Sequence, residues 1–227
     1  RESPVIRRVS EPSERRTSTW KTATAILTAI VVSACAPTSP SGLVTVTSRT
    51  ANPVQLTASF SYGAYTVDPA KVSIILSTVP LETLASGDFE EAQVAHVQML
   101  WKPRAGRTPV SADATNLSIR YVVLVDGEVG LYGGGGFGWP KGTPGKTGFG
   151  LNIAGSNLAL LDSTDGFRDL LTPARLLGSI GAPLDETVAI RMRDTVSQIV
   201  TNRLGRSQWV DLGLGEGRIL SSAPISR

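Results

Sequence analysis

One cysteine, Cys35, and one histidine, His96, are all that 227 residues hold of these two site-forming side chains. A lone Cys cannot close an intrachain disulfide. Metal sites built from several Cys or His, the usual zinc donors, are excluded. A Ser-His-Asp arrangement would have a single imidazole to draw on. Long apolar runs are also missing: the longest, Thr22 to Ser33 (TATAILTAIVVS), is 12 residues. A helix crossing a hydrocarbon core roughly 30 Å thick needs about 20.

Excess positive charge is confined to one end. The chain carries 22 Lys/Arg and 19 Asp/Glu, but six of the basic residues (Arg1, Arg7, Arg8, Arg15, Arg16, Lys21) and three of the acidic ones (Glu2, Glu11, Glu14) precede Cys35. From Cys35 onward there are 16 of each, scattered. Nucleic-acid affinity depends on a basic patch that neutralises phosphates. No nucleic-acid partner is therefore expected, and the pI near 9.2 carries no information about one.

The segment before Cys35 has the layout of an export signal. Arg15, Arg16 and Lys21 precede the apolar run, and small residues follow it. Val32-Ser33-Ala34-Cys35 resembles the lipobox of bacterial lipoproteins. That resemblance implies removal of residues 1–34 as a signal peptide with an N-terminal extension, followed by diacylglyceryl transfer to the Cys35 sulfur and acylation, with palmitate for example, of its freed amine. An uncleaved anchor, or a buried helix with an inert Cys, is the alternative. A twin-arginine signal fits less well, because Ser18 stands where that pattern has an apolar residue. Residues 35–42, with Pro37, Pro40 and three Ser or Thr between them and Gly42, read as a Pro/Ser-rich tether. Ala36 after the Cys, rather than Asp, would direct such a lipoprotein to the outer membrane of a diderm cell.

Residues 43–227 are expected to form a single β-rich domain. Leu56, Ala58, Phe60 and Tyr62 alternate with polar residues, which marks a half-buried strand. Val72 to Val79 (VSIILSTV) is continuously apolar, as in a central strand. Ala95 to Trp101 alternates again, with His96 on its polar side. Asp126-Gly127 between apolar segments predicts a type I′ hairpin joining 116–125 to 128–132.

The second half is less periodic. Gly133 to Gly150 (GGGGFGWPKGTPGKTGFG) reads as an irregular loop, and Leu151 to Leu161 as a strand. Thr172-Pro173 suggests an N-cap opening a helix over 174–177. Asp185 to Leu204, with Val188, Met192, Val196, Ile199 and Val200 three or four apart and Gly205 beyond, predicts the long helix. Short strands are expected near Trp209 to Leu212 and Arg218 to Leu220.

Several strings imitate chemical motifs. Gly133, Gly135 and Gly138 match dinucleotide-binding spacing, but Trp139-Pro140-Lys141-Gly142 cannot open the helix it requires. Gly145-Lys146-Thr147 imitates a P-loop, with Pro140 where its first Gly belongs. Asp162-Ser163-Thr164-Asp165-Gly166 lacks the ligand alternation of a calcium loop. Neither Ser156 nor Ser179 lies in a nucleophile elbow. His96 is expected to face solvent.

The fold class expected is α+β and β-rich: an antiparallel sandwich or partly open barrel with a C-terminal helix. The function expected is a lipid-anchored role in the bacterial cell envelope, in binding, scaffolding or assembly, with no cofactor or metal and with another envelope protein or a glycan as partner. Phe137, Trp139 and Phe149, on the Gly-rich segment, are the candidate contact residues. A hydrolase using carboxylates or His96 is the alternative.

Overall fold

A computed structural model describes residues 39–101 and 115–208. Cys35, the whole segment expected to act as a signal and the strands expected beyond Gln208 lie outside the described residues. Elements follow in the order β1 (Ser41–Ser48), β2 (Gln55–Phe60), β3 (Tyr62–Val67), β4 (Val72–Ser77), α1 (Leu81–Ser86), β5 (Glu91–Met99), β6 (Leu117–Val125), β7 (Glu128–Lys141), β8 (Gly148–Ser163), β9 (Ala174–Pro183) and α2 (Glu186–Leu204).

The nine strands form one antiparallel sheet in the order β2-β1-β9-β8-β7-β6-β5-β4-β3. Its two edge strands are consecutive in sequence, separated by Ser61 alone. The chain from Gln55 to Val67 is thus one bent strand, its first half paired with β1 and its second with β4. That bend brings the sheet round into a nearly closed barrel. Gly63 makes the bend possible: its φ is +144°, and a Cβ there would lie 2.1 Å from the Ile75 carbonyl oxygen.

Closure produces two cores. The inner one takes side chains from all nine strands, including Val46, Phe60, Tyr65, Ile74, Val97, Ile119, Tyr121, Tyr132, Phe149 and Leu176. The outer one lies between the convex sheet face and the two helices, where Ile75, Val94, Val122 and Leu131 meet Leu84, Met192, Val196 and Val200. This double burial explains the continuous apolar run of β4: Ile74 points inward and Ile75 toward the helices. A strand covered on both faces loses its period of two.

The Asp126-Gly127 hairpin has the positive φ values a type I′ turn demands, 48° and 84°. Helix α2 is capped as expected. Asp185 accepts a bond from the Val188 amide at 2.9 Å, and Gly205 ends the helix in the left-handed region. Helix α1, seated on Leu81 and Leu84, is too short at six residues to leave a sequence period.

Two expectations are corrected. The stretch from Gly133 to Gly150 is largely strand, with most of it in β7 and β8. Its glycines admit close backbone approach rather than mobility: a Cβ on Gly134 would lie 1.8 Å from the Asn157 carbonyl oxygen, and one on Gly136 2.1 Å from that of Gly155. Residues 174–177 are strand β9, not helix. The Thr172 amide bonds to Asp169, its hydroxyl accepts from the Leu160 amide, and the Pro173 carbonyl accepts from the Arg49 amide. With these groups committed to neighbouring strands, no helix starts there.

Candidate functional site

The Gly-rich segment does not present its aromatics together. Phe149 is wholly buried against Tyr65, ring centroids 5.7 Å apart. Phe137 is also buried and meets Trp139 edge-on at 4.8 Å. Trp139 alone of the three is exposed. Successive strand residues point to opposite faces, but a register break between Phe137 and Gly138 disturbs the alternation.

His96 is 4% exposed, not solvent-facing. It lies on the convex side of β5, and its Nε2 is 2.7 Å from Ser73 Oγ on β4. Sequence reading passed over Ser73, which stands 23 residues away and in no motif. A Ser–His contact is the nucleophile–base geometry of covalent catalysis. Ser73, however, sits within a strand paired on both sides, with Thr66 and with Gln98. Its backbone is committed to the ladder, so the sharp turn that exposes an oxyanion-binding amide beside a nucleophile is missing.

The carboxylates are likewise engaged. Asp162, on β8, receives a two-pronged contact from Arg206 at 2.8 and 2.5 Å. That contact, against the opposing effect of burial, holds its carboxyl below the usual range. Asp169 accepts from the Tyr132 hydroxyl and from the Leu171 and Thr172 amides. Burial alone would raise its pKa, but these bonds together lower it. Tyr132 moves the opposite way, raised first by burial and then by Asp169. Tyr121 is raised by burial and by Glu91, and its hydroxyl meets Gln93 Oε1. The Gly145-Lys146-Thr147 turn is pinned to the barrel: Tyr65 donates to the Lys146 carbonyl at 2.5 Å and accepts from the Gly145 amide at 3.1 Å.

Two surface clefts stand out among the described residues. One, of about 480 Å³, lies where the β6–β7 hairpin meets the end of α2. It holds Arg203 and Arg206 beside Glu128 and Asp165, and its cations are engaged: Arg206 with Asp162, Arg203 with the Gly127 carbonyl. The other, of about 340 Å³, is lined by Arg49, Phe137, Ala154, Gly155, Ser156, Asn157 and Arg175. No carboxylate lines it.

The second cleft is a product of strand irregularity. Asn157 on β8 faces Arg175 on β9, while Arg49 follows the last residue of β1. Between Ile153 and Ser156 the β8–β9 register shifts, so Ala154 and Gly155 have no register partner on β9. Bulges of this kind open a ladder and redirect neighbouring side chains. Arg49 Nη1 donates to Asn157 Oδ1 at 3.3 Å. Among the described residues the Arg175 guanidinium makes no hydrogen bond or ion pair; it lies over Gly155, where a Cβ would be 3.1 Å from Nη2. Ser156 carries a buried hydroxyl that has no hydrogen-bond partner among the described residues. Strand pairing brings these residues together from distant stretches of chain, and no linear motif marks them.

No family model, curated protein or solved structure matches this chain significantly.

Proposed function

We propose that this chain is a lipid-anchored binding domain of the bacterial cell envelope, held to a membrane through Cys35, with a scaffolding or assembly role rather than a catalytic one. The observation that carries the binding reading is the contrast in how its polar groups are used. Asp162, Asp169, Tyr65, Tyr121 and Tyr132 are each spent on an internal bond, while a solvent-open cleft is lined by hydrogen-bond donors with spare capacity. Ligand sites commonly combine a concave surface with a few such unspent groups. The envelope address rests on the lipobox-like Val32-Ser33-Ala34-Cys35 and the charged and apolar stretch before it. No described helix is long and apolar enough to cross a membrane, so in this reading the lipid does the anchoring.

A second reading, a serine hydrolase, is favoured by the Ser73–His96 contact alone. Two measurements on the full chain separate them. Mass spectrometry of the mature N-terminus should find Cys35 carrying a diacylglyceryl group on its sulfur and an acyl chain on its amine, and Cys35→Ala should move the protein out of the membrane fraction. A fluorophosphonate probe should leave Ser73 unlabelled. An unmodified Cys35 still joined to Ala34 overturns the anchor, and labelling of Ser73 that Ser73→Ala abolishes overturns the non-catalytic role.

A further inference from the structure

We infer that the cleft between β1, β8 and β9 is an oxyanion site that takes a phosphate group, with Arg175 as its principal ligand and Arg49 and Asn157 as supporting donors. The inference deepens the binding reading above and rests on it for the idea that the protein binds rather than transforms its ligand and, for the source of the phosphate alone, for the anchor at Cys35. Two guanidiniums share one cleft, with no Asp or Glu among the lining residues to neutralise them. Arg175 has no partner among the described residues, and Arg49 has only a long bond to an amide oxygen. Two cations with no carboxylate partner beside a solvated cleft are an arrangement that an anion stabilises, because each guanidinium offers a planar fork of N–H donors matched to phosphate oxygens.

The other cleft offers a contrast. Its arginines are already matched by Asp162 and by a carbonyl oxygen, so it has no comparable demand for an anion.

Position narrows the source of the phosphate. Arg49 lies at the end of β1 remote from Ser41, a separation of roughly 25 Å for eight residues at about 3.3 Å each. A chain anchored at Cys35 enters β1 at the opposite end. With the anchor at that end, a cleft at the far end of β1 favours phosphate carried by a soluble or polymeric envelope ligand over head groups of the anchoring bilayer.

Equilibrium dialysis of the full chain against radiolabelled inorganic phosphate tests the site directly. Saturable binding is expected, weakened at least tenfold by Arg175→Gln, less by Arg49→Gln, and abolished by the double variant. Arg193→Gln, on α2 and remote from the cleft, should leave it unchanged. Gly155→Leu keeps both arginines but fills the space beneath the Arg175 guanidinium, and should block binding in a chain whose circular dichroism is native. Failure of the wild-type chain to bind phosphate saturably, or binding unmoved in the double variant, overturns the site.

A second arm uses the full chain carrying Cys35→Ala with phosphatidylglycerol or phosphatidylcholine vesicles. Arginine-dependent binding to phosphate but not to vesicles supports the site with a non-lipid source. Arginine-dependent binding to both supports the site and reassigns the source to head groups. Vesicle binding without phosphate binding overturns it. The anchor can fail independently: an unmodified Cys35 beside intact arginine-dependent phosphate binding would remove the envelope address and leave the site standing.

Discussion

At the scale of single residues, Asp162 links chemistry to stability. Its side chain is nearly buried while that of Arg206 is largely exposed, and the two-pronged contact joins β8 to the end of α2. The folded-state pKa is lowered, so the contribution is fully present above the unfolded carboxyl value, about 3.9, and is lost as pH falls through the lower folded value. Asp169 acts in the same direction through its amide and tyrosine donors. Urea unfolding from pH 2 to pH 7 should show wild-type stability falling on the acid side. Asp162→Asn should be less stable at neutral pH and shallower below pH 4, keeping the part of the slope that belongs to Asp169. An acid limb identical to wild type would mean that the Arg206 contact contributes nothing. None of this was legible in the linear string, where Asp162 looked like one of several turn aspartates. Its partner lies 44 residues on.

At the scale of elements, α2 behaves as its pattern predicts because its determinants are local. Asp185 and Gly205 cap it, and Ala189, Met192, Val196 and Val200 form the buried stripe laid on the convex sheet face. Met192→Ala should lower unfolding free energy by about 2–5 kcal/mol, as for other buried large-to-small changes, with a visible drop in thermal midpoint. Ile190→Ala, on the exposed side, should stay within about 0.5 kcal/mol of wild type. Equal losses in the two variants would mean that the helix is not seated as described. The elements that sequence reading missed share one physical cause: a neighbouring strand supplies what the local sequence withholds. Gly133 to Gly138 is a poor strand by propensity, yet its missing Cβ atoms are what allow β8 to approach. Thr172-Pro173 looks like a helix start until its polar groups are counted as partners of Asp169, Leu160 and Arg49.

At the scale of the whole molecule, the barrel depends on one bend. Gly63→Ala would force a Cβ against the Ile75 carbonyl and a side chain into a φ of +144°. A loss of about 3 kcal/mol or more is expected. Gly87→Ala supplies the comparison: its φ is also positive, at 76°, but the space around it is open, so only the conformational penalty of about 1–2 kcal/mol applies. Thermal unfolding of the two variants separates the clash from the dihedral, and matched midpoints would show that the bend tolerates a methyl group. Alternation, the Asp-Gly turn, helix period and caps determined from sequence alone that the chain is β-rich and carries a long helix from Glu186 to Leu204. These features were readable because they arise between residues a few positions apart. Which strands meet, that β2 and β3 join the two edges of one sheet, that His96 is buried against Ser73, and that Arg49, Asn157 and Arg175 share a cleft were decided only by the tertiary structure. Each depends on strand pairings between distant stretches, and register across such pairs is set by mutual burial and backbone approach, which a linear pattern does not encode.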